Sequence, residues 1–224
     1  MQDDIAALCA GLGLFATERQ TGALGHYLDL LQQWNATYNL TAVRDRRAMF
    51  TQHLADCLAV VAPLQRHAQQ GRLLDVGSGG GLPGVVIATL LPDWQVTCVD
   101  AVGKKTAFVR QVAGTLPLPN LRAEHSRIES LQAPPFEVVA ARAFAGLADF
   151  TEVTRRHLAP AGVWMAMKGR VPNEEIAELP AGVEVFHVEQ LTVPGLDAQR
   201  CLVWMREQAL VESARLSLRA PKRA

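Results

Sequence analysis

One stretch constrains the fold more than any other: Asp75-Val76-Gly77-Ser78-Gly79-Gly80-Gly81-Leu82-Pro83-Gly84. The apolar run Leu73-Leu74-Asp75-Val76 precedes it, and a helical stretch over 83–91 follows, with Pro83 near the first turn, where a missing N–H costs nothing. A strand that feeds a glycine turn and then a helix opens a parallel βαβ unit. The glycines permit a tight turn and let a ligand approach the backbone, and the helix start beyond offers free N–H groups.

The texture continues downstream. Strands are expected at 96–100, 121–124, 138–141, 163–167, 183–188 and 201–206, with helices over 103–116, 149–158 and 173–179. Such alternation implies an α/β fold with helices on both faces of a mostly parallel sheet. Residues 1–66 read differently. Leu24, Leu28, Leu31, Trp34 and Tyr38 recur at the period of one helix face. Asn39-Leu40-Thr41 interrupts with turn formers, and Thr41 is a candidate cap for the next helix. Met49, His53, Asp56 and Val60 resume helical spacing, and Pro63 with the stretch 67–71 marks a boundary. The expected organisation is a helical extension over 1–70, an α/β domain over 71–206 and a tail over 207–224.

Lys plus Arg and Asp plus Glu each number 22, so net charge gives no general affinity for polyanions. The balance is also even along the chain, and an RNA partner would have to meet a local patch. The basic residues after 206 are expected to lie in a frayed, solvated tail. No apolar run exceeds six residues, the length of Cys57 to Ala62, too short to span a membrane. The start Met-Gln-Asp-Asp lacks the pattern of a signal peptide, so a cytoplasmic location is expected. Cys9, Cys57, Cys98 and Cys201 are too scattered for a zinc knuckle or redox pair, and the six histidines form no cluster. Buried free thiols, no metal and a monomer are expected.

A glycine loop alone serves dinucleotides and other nucleoside ligands alike. Asp75 narrows the choice. A carboxylate at the end of the first strand would repel a pyrophosphate but attract a ligand bearing an ammonium and a sulfonium, such as S-adenosylmethionine. The other use for Asp75 is as a partner for the helix N-terminus. Asp100 ends the second strand, 19 residues after Gly81, where it can accept from both ribose hydroxyls of either ligand. Ile128 and Glu129 follow the third strand at the same sheet edge, where such a ligand places its base.

The acceptor must come from elsewhere in the chain. Ala141-Arg142-Ala143-Phe144 follows the fourth strand and does not match the Asp/Asn-Pro-Pro-aromatic turn used on exocyclic amines. Pro134-Pro135-Phe136 precedes that strand, and no cysteine has the context of a pyrimidine-C5 nucleophile. Carboxylate and phenol acceptors stay open on this ground. Ring nitrogen 7 of guanine has a lone pair and no proton to lose, so positioning alone can drive its methylation, with no obligate base.

The segments DVGSGGGLPG, VDAVGKK, HSRIESL, ARAFA, MKG and RCLVWM, in that order, resemble the RsmG (GidB) family. WNATYNLTA and HLADCL near the N-terminus are similar to that family's helical segment. The resemblance covers roughly 24–206. It implies a class I methyltransferase fold, Rossmann-like and seven-stranded, with an N-terminal helical extension. It implies S-adenosylmethionine as donor and a guanine N7 in the 530 loop of 16S rRNA, on the small ribosomal subunit, as acceptor. It puts Gly77 and Leu82 of the loop, with Ile128 and Glu129, at the donor, and Arg142 at the donor or target; Gly79 and Gly81 of the same loop are further donor-binding candidates. Ala141, Cys57 and Met167 depart from the family's usual serine, serine and leucine; these changes conserve volume.

Arg142 and Lys168 follow strands four and five, the edge where open α/β sheets bind ligands. Both are catalytic and RNA-binding candidates; Arg200 is a further RNA-binding candidate. Cations there can hold phosphate and splay a nucleotide from its stack. Lys104-Lys105 suits either RNA or solvent, and Phe144 either a base or the core. His53 and Asp56 share a helix face at hydrogen-bonding spacing, and Asn39 reads as a turn former. A small-molecule methyltransferase, with Trp34 and Tyr38 in a lid, and a non-enzymatic RNA-binding assembly factor are the competing readings. An NAD oxidoreductase conflicts with Asp75.

Overall fold

The computed structural model describes residues 1–208, so the tail expected over 207–224 lies almost wholly outside the described residues. The N-terminal segment forms α1 (Gln2–Gly11), α2 (Glu18–Tyr38), α3 (Arg46–Met49), a π-helical turn (Phe50–Ala55), α4 (Asp56–Leu58) and α5 (Val61–His67). An alternating series follows: β1 (Gly71–Val76), α6 (Gly84–Leu90), β2 (Trp94–Asp100), α7 (Gly103–Thr115), β3 (Leu121–His125) and β4 (Phe136–Arg142). It closes with α8 (Leu147–Thr154), β5 (Leu158–Lys168), α9 (Asn173–Ala177), β6 (Val183–Leu191) and β7 (Arg200–Glu207).

The strands form one seven-stranded sheet in the order β3-β2-β1-β4-β5-β7-β6. β1 to β5 pair in parallel, and β7 runs antiparallel to both β5 and β6. The order reverses between β1 and β4, and the crevice beyond their C-terminal ends is where such sheets take ligands. Both sheet faces are covered, which is why the strands read as near-continuous apolar runs. Leu73, Val96, Val138 and Met165 face a layer of α6, α7 and the N-terminal helices. Leu74, Val99, Val139 and Trp164 face the opposite layer, which includes Leu147 and Phe150 of α8.

The helical extension therefore shares a core with the sheet. Leu24, Leu28 and Leu31 of α2 are buried, Trp34 partly so, and Tyr38 is exposed. Thr17 starts the helix with a reciprocal cap: its hydroxyl accepts from Gln20 N, and the Gln20 side chain accepts from Thr17 N. The Gln20 amide also donates to the Thr89 carbonyl of α6 at 2.9 Å, joining the extension to the sheet unit. Asn39 closes α2 in the left-handed conformation, as expected of a turn former.

Some boundaries differ from expectation. Thr41 caps nothing. The next helix begins at Arg46, where Asp45 accepts from Ala48 N at 2.8 Å, because 40–44 stays non-helical and the Thr41 hydroxyl instead meets Nε2 of His53 at 2.7 Å. Pro63 lies inside the first turn of α5, where a helix has unpaired N–H groups anyway. β5 starts five residues before the expected Val163, since Leu158 pairs with Phe136 ahead of a bulge. Residues 155–157 continue α8 as a 3-10 turn.

Candidate active site

A cavity of about 590 Å³ opens at the C-terminal edge of the sheet. The loop after β1 forms one wall through Gly77, Ser78, Gly79, Gly80 and Leu82. Arg142, Lys168 and Arg200 line the other side. Arg142 and Lys168 end β4 and β5, and antiparallel β7 brings its first residue, Arg200, to the same edge. The helical extension contributes Thr41, His53 and Asp56.

The loop's glycines divide by role. Gly77 and Gly79 adopt φ of 66° and 58°, the region a side chain disfavours, and a Cβ on Gly77 would meet no heavy atom within 4 Å. Their backbone is thus open toward the cavity. Gly81 is outside the cavity wall: a Cβ there would lie 2.6 Å from Val85 and 3.0 Å from Val109, so this glycine lets the loop pack on its neighbours. At Gly84 a Cβ would lie 2.5 Å from Cys98 Sγ and 2.9 Å from Asp75 Oδ2, so α6 approaches the sheet closely here.

Asp75 is not in the cavity wall, contrary to its expected position against a ligand's positive charge. It shares strand parity with Leu73 and points under α6, fully buried. Its Oδ2 accepts from Gly84 N at 2.8 Å, while Oδ1 has no hydrogen-bond partner. Burial pushes its pKa up to about 7, partly offset by the Gly84 N–H. The helix-terminus use is the one the geometry fits.

Asp100, expected at the ribose, is likewise buried and outside the cavity wall, and it braces the loop. Its Oδ2 accepts from Gly79 N at 3.0 Å and its Oδ1 from Val102 N at 2.8 Å, with Lys105 Nζ 3.6 Å away. Each oxygen keeps acceptor capacity for a further donor. Ile128 and Glu129 lie on a 3-10 turn after β3 and do not line the cavity. Ile128 packs on the α8 side of the sheet, and Glu129 is exposed. Lys104 is exposed, Phe144 packs on Phe150 with ring centroids 5.3 Å apart, and Trp34 packs on Phe108, outside the cavity wall.

The cations are held by acids. Asp56, only 4% exposed, places Oδ1 2.8 Å from Arg200 Nε and Oδ2 3.6 Å from Arg142 Nη1. Lys168 Nζ meets Glu175 Oε2 at 2.6 Å and donates to the Phe144 carbonyl at 3.1 Å. The expected His53–Asp56 hydrogen bond does not form. Nδ1 of His53 lies 3.3 Å from Arg142 Nη1, and burial followed by the Arg142 charge lowers the His53 pKa, favouring the neutral ring. Sequence reasoning singled out neither Tyr27, whose hydroxyl donates to the Gly80 carbonyl, nor Glu175. The HLADCL spacing signalled His53 and Asp56 without revealing their partners.

A glycine loop after β1, an acid closing β2 and an open cavity at the topological switch make a nucleoside-ligand site, and on this seven-stranded mixed sheet they fit the class I methyltransferases. Solved structures agree on the fold. A 1,6-didemethyltoxoflavin-N1-methyltransferase from Burkholderia thailandensis, with bound S-adenosylhomocysteine, aligns at a TM-score of 0.56 and 16% identity over 82% of this chain and 89% of that one. TrmN from Thermus thermophilus aligns at 0.54 and 21% identity, over 67% and 48%. Residues 20–203 match the family model described as rRNA small subunit methyltransferase G, and the chain belongs to that family. Relatives named ribosomal RNA small subunit methyltransferase G come from Leptothrix cholodnii, 58% identical over 95% of this chain and 100% of that one, and from Acidovorax sp. (strain JS42), 60% identical over 88% and 92%.

Proposed function

We propose that this protein transfers the methyl group of S-adenosylmethionine to N7 of a guanine in the 530 loop of 16S rRNA, on the small ribosomal subunit or its assembly intermediates. The observation that carries this reading is the cavity itself. One wall is bare glycine backbone, and the other carries three cations and no carboxylate free of a basic partner among the described residues.

The loop fits the donor. Gly77 and Gly79 leave the backbone uncovered, Leu82 supplies apolar surface, and Asp100 retains acceptor capacity for ribose hydroxyls. When bound, S-adenosylmethionine supplies an electrophilic methyl on a sulfonium. Gly81 and Asp75 serve from behind the loop, by packing and by holding Gly84 N. Ile128 and Glu129 flank the adenosine end. Arg142, Lys168 and Arg200 hold RNA phosphate and orient the extruded guanine, with Arg142 nearest the methyl acceptor. Guanine N7 gives up no proton on methylation, so a site whose acids are all engaged is no handicap. Orientation alone is worth up to about 7–11 kcal/mol of barrier. In this assignment residues 71–206 bind donor and acceptor, and residues 1–70 complete the pocket. The working unit in this reading is one chain, and a ribosomal substrate implies the cytoplasm. No metal takes part.

The test is transfer of labelled methyl to small subunits lacking the modification, with the product nucleoside identified by mass spectrometry. Label in 7-methylguanosine, lost in Arg142→Ala, is expected. Donor binding without label in any RNA would move the assignment to a small-molecule methyltransferase.

A further inference from the structure

Why does a cavity meant for a polyanion hold a carboxylate in its wall? Asp56 would repel a phosphodiester if it faced one alone. It does not stand alone. Its two oxygens go to different arginines, Oδ1 to Arg200 and Oδ2 to Arg142, so the trio carries a net charge of plus one. The three residues come from three elements: Asp56 from the helical extension, Arg142 from the end of β4 and Arg200 from the start of β7.

Further contacts fix each guanidinium. Arg200 Nη1 donates to the Gln199 carbonyl at 2.8 Å. Arg142 Nη1 lies 3.4 Å from the Gln52 carbonyl, on the π-helical turn before Asp56. Neither arginine donates from Nη2 to any described residue. A guanidinium is a rigid planar fork, so holding some of its nitrogens fixes where Nη2 points. Both side chains are about a quarter exposed, and both line the cavity.

We propose that Asp56 is a positioning residue that locks Arg142 and Arg200 with their unengaged Nη2 groups turned toward one phosphodiester of the target strand. The assignment rests on the RNA methylation proposed above. Asp56 touches neither donor nor acceptor. It lowers the intrinsic pull of the two cations on phosphate in exchange for a fixed geometry, so its effect falls on turnover rather than on RNA affinity. A misplacement of about 1 Å can lower a rate about 100-fold.

The experiment is steady-state methylation of unmodified small subunits by wild type and Asp56→Asn, with donor affinity by calorimetry and melting temperature measured alongside. Asp56→Asn is expected to lower kcat about 10- to 100-fold, to leave KM for subunits unchanged or lower, and to leave donor affinity intact. A raised KM with unchanged kcat, or neither parameter changed, overturns the proposal. If Asp56→Asn does not fold, Asp56→Asn combined with Arg200→Gln removes an acid and a base together, which is tolerated better than an orphaned buried charge. A folded double variant whose kcat falls below that of Arg200→Gln alone supports the proposal, and one that matches Arg200→Gln alone overturns it; a double variant that also fails to fold makes Asp56 a structural residue and overturns it as well. If wild type itself places no methyl on guanine N7 of subunits, the parent assignment falls and this inference falls with it.

Discussion

The Tyr27 hydroxyl donates to the Gly80 carbonyl at 2.8 Å, so the helical extension is bonded directly to the glycine loop. Tyr27 is fully buried, and nearby Leu31 would lie 3.2 Å from a Cβ on Gly80. α2 thus forms the back of the loop. Tyr27→Phe keeps the ring and removes one hydrogen bond, worth about 1 kcal/mol net. For a domain of this size the melting temperature should fall by about 2–4 °C. Donor affinity should fall with it, because the carbonyl that holds the loop in place loses its partner. Calorimetric melting and donor titration check both, and unchanged donor affinity would show that the loop keeps its shape without the extension.

Two glycines should separate binding from stability. Gly77→Ala places a methyl in open space at a left-handed position, at a conformational cost of about 1–2 kcal/mol, and covers backbone at the cavity. Its main expected effect is loss of donor affinity. Gly84→Ala drives a Cβ into Cys98 Sγ and Asp75 Oδ2 on the far side of α6. Overpacking of this kind costs about 1–3 kcal/mol, and the variant should melt earlier. Adding Cys98→Ala, which removes the nearest atom, should recover part of that loss. The measurement is a paired set of melting curves and donor titrations, and equal effects of the two alanines on both quantities would count against the division.

Asp75 gives a stability signature with a defined sign. Its pKa rises from 3.8 to about 7 on folding, because burial penalises the carboxylate. Between those values the folded chain binds more protons than the unfolded one, so stability falls as pH rises from about 4 to 7. Three pKa units correspond to at most about 4 kcal/mol. In Asp75→Asn the amide oxygen can keep the Gly84 N–H, and the amide nitrogen takes the place of the unpartnered Oδ1. The variant should therefore gain on wild type as pH increases across that window. Denaturant midpoints at pH 5 and pH 8 test this, and a difference that does not change with pH would remove Asp75 as the cause.

The strands and the glycine loop were legible because a sheet covered on both faces leaves short apolar runs punctuated by turn residues. The clustering of Arg142 and Lys168 was legible for a topological reason: residues ending parallel strands share an edge. The facing of Asp75 was not. Where both faces are buried, the polar–apolar alternation that would reveal a strand's parity disappears, and Leu73 and Leu74 look alike. The partners of Asp56 were illegible too, since Arg200 lies 144 residues away and only the closed sheet brings them together. No residue type announces the extra residue that makes 50–55 a π-helical turn, although such turns recur near functional sites.

Lys168 offers the sharpest separation between an RNA contact and an internal tether. Its ammonium is bonded to Glu175 and to the Phe144 carbonyl, and its side chain is only 11% exposed. Glu175 Oε2 also accepts from Leu147 N at the start of α8, so the ion pair joins β5, α9 and α8. If Lys168 leaves this pair to meet a phosphate, Lys168→Met should weaken subunit binding and reduce the salt dependence by about 0.7–0.9 in the log–log slope. Glu175→Gln keeps an acceptor for both donors but releases the charge, and it should tighten binding and steepen the slope. Filter binding across a salt series reads both. Opposite changes in the two variants identify an RNA contact held in check by an acid. Unchanged slopes with lowered melting temperatures would make Lys168 part of the scaffold, leaving Arg142 and Arg200 to meet the RNA.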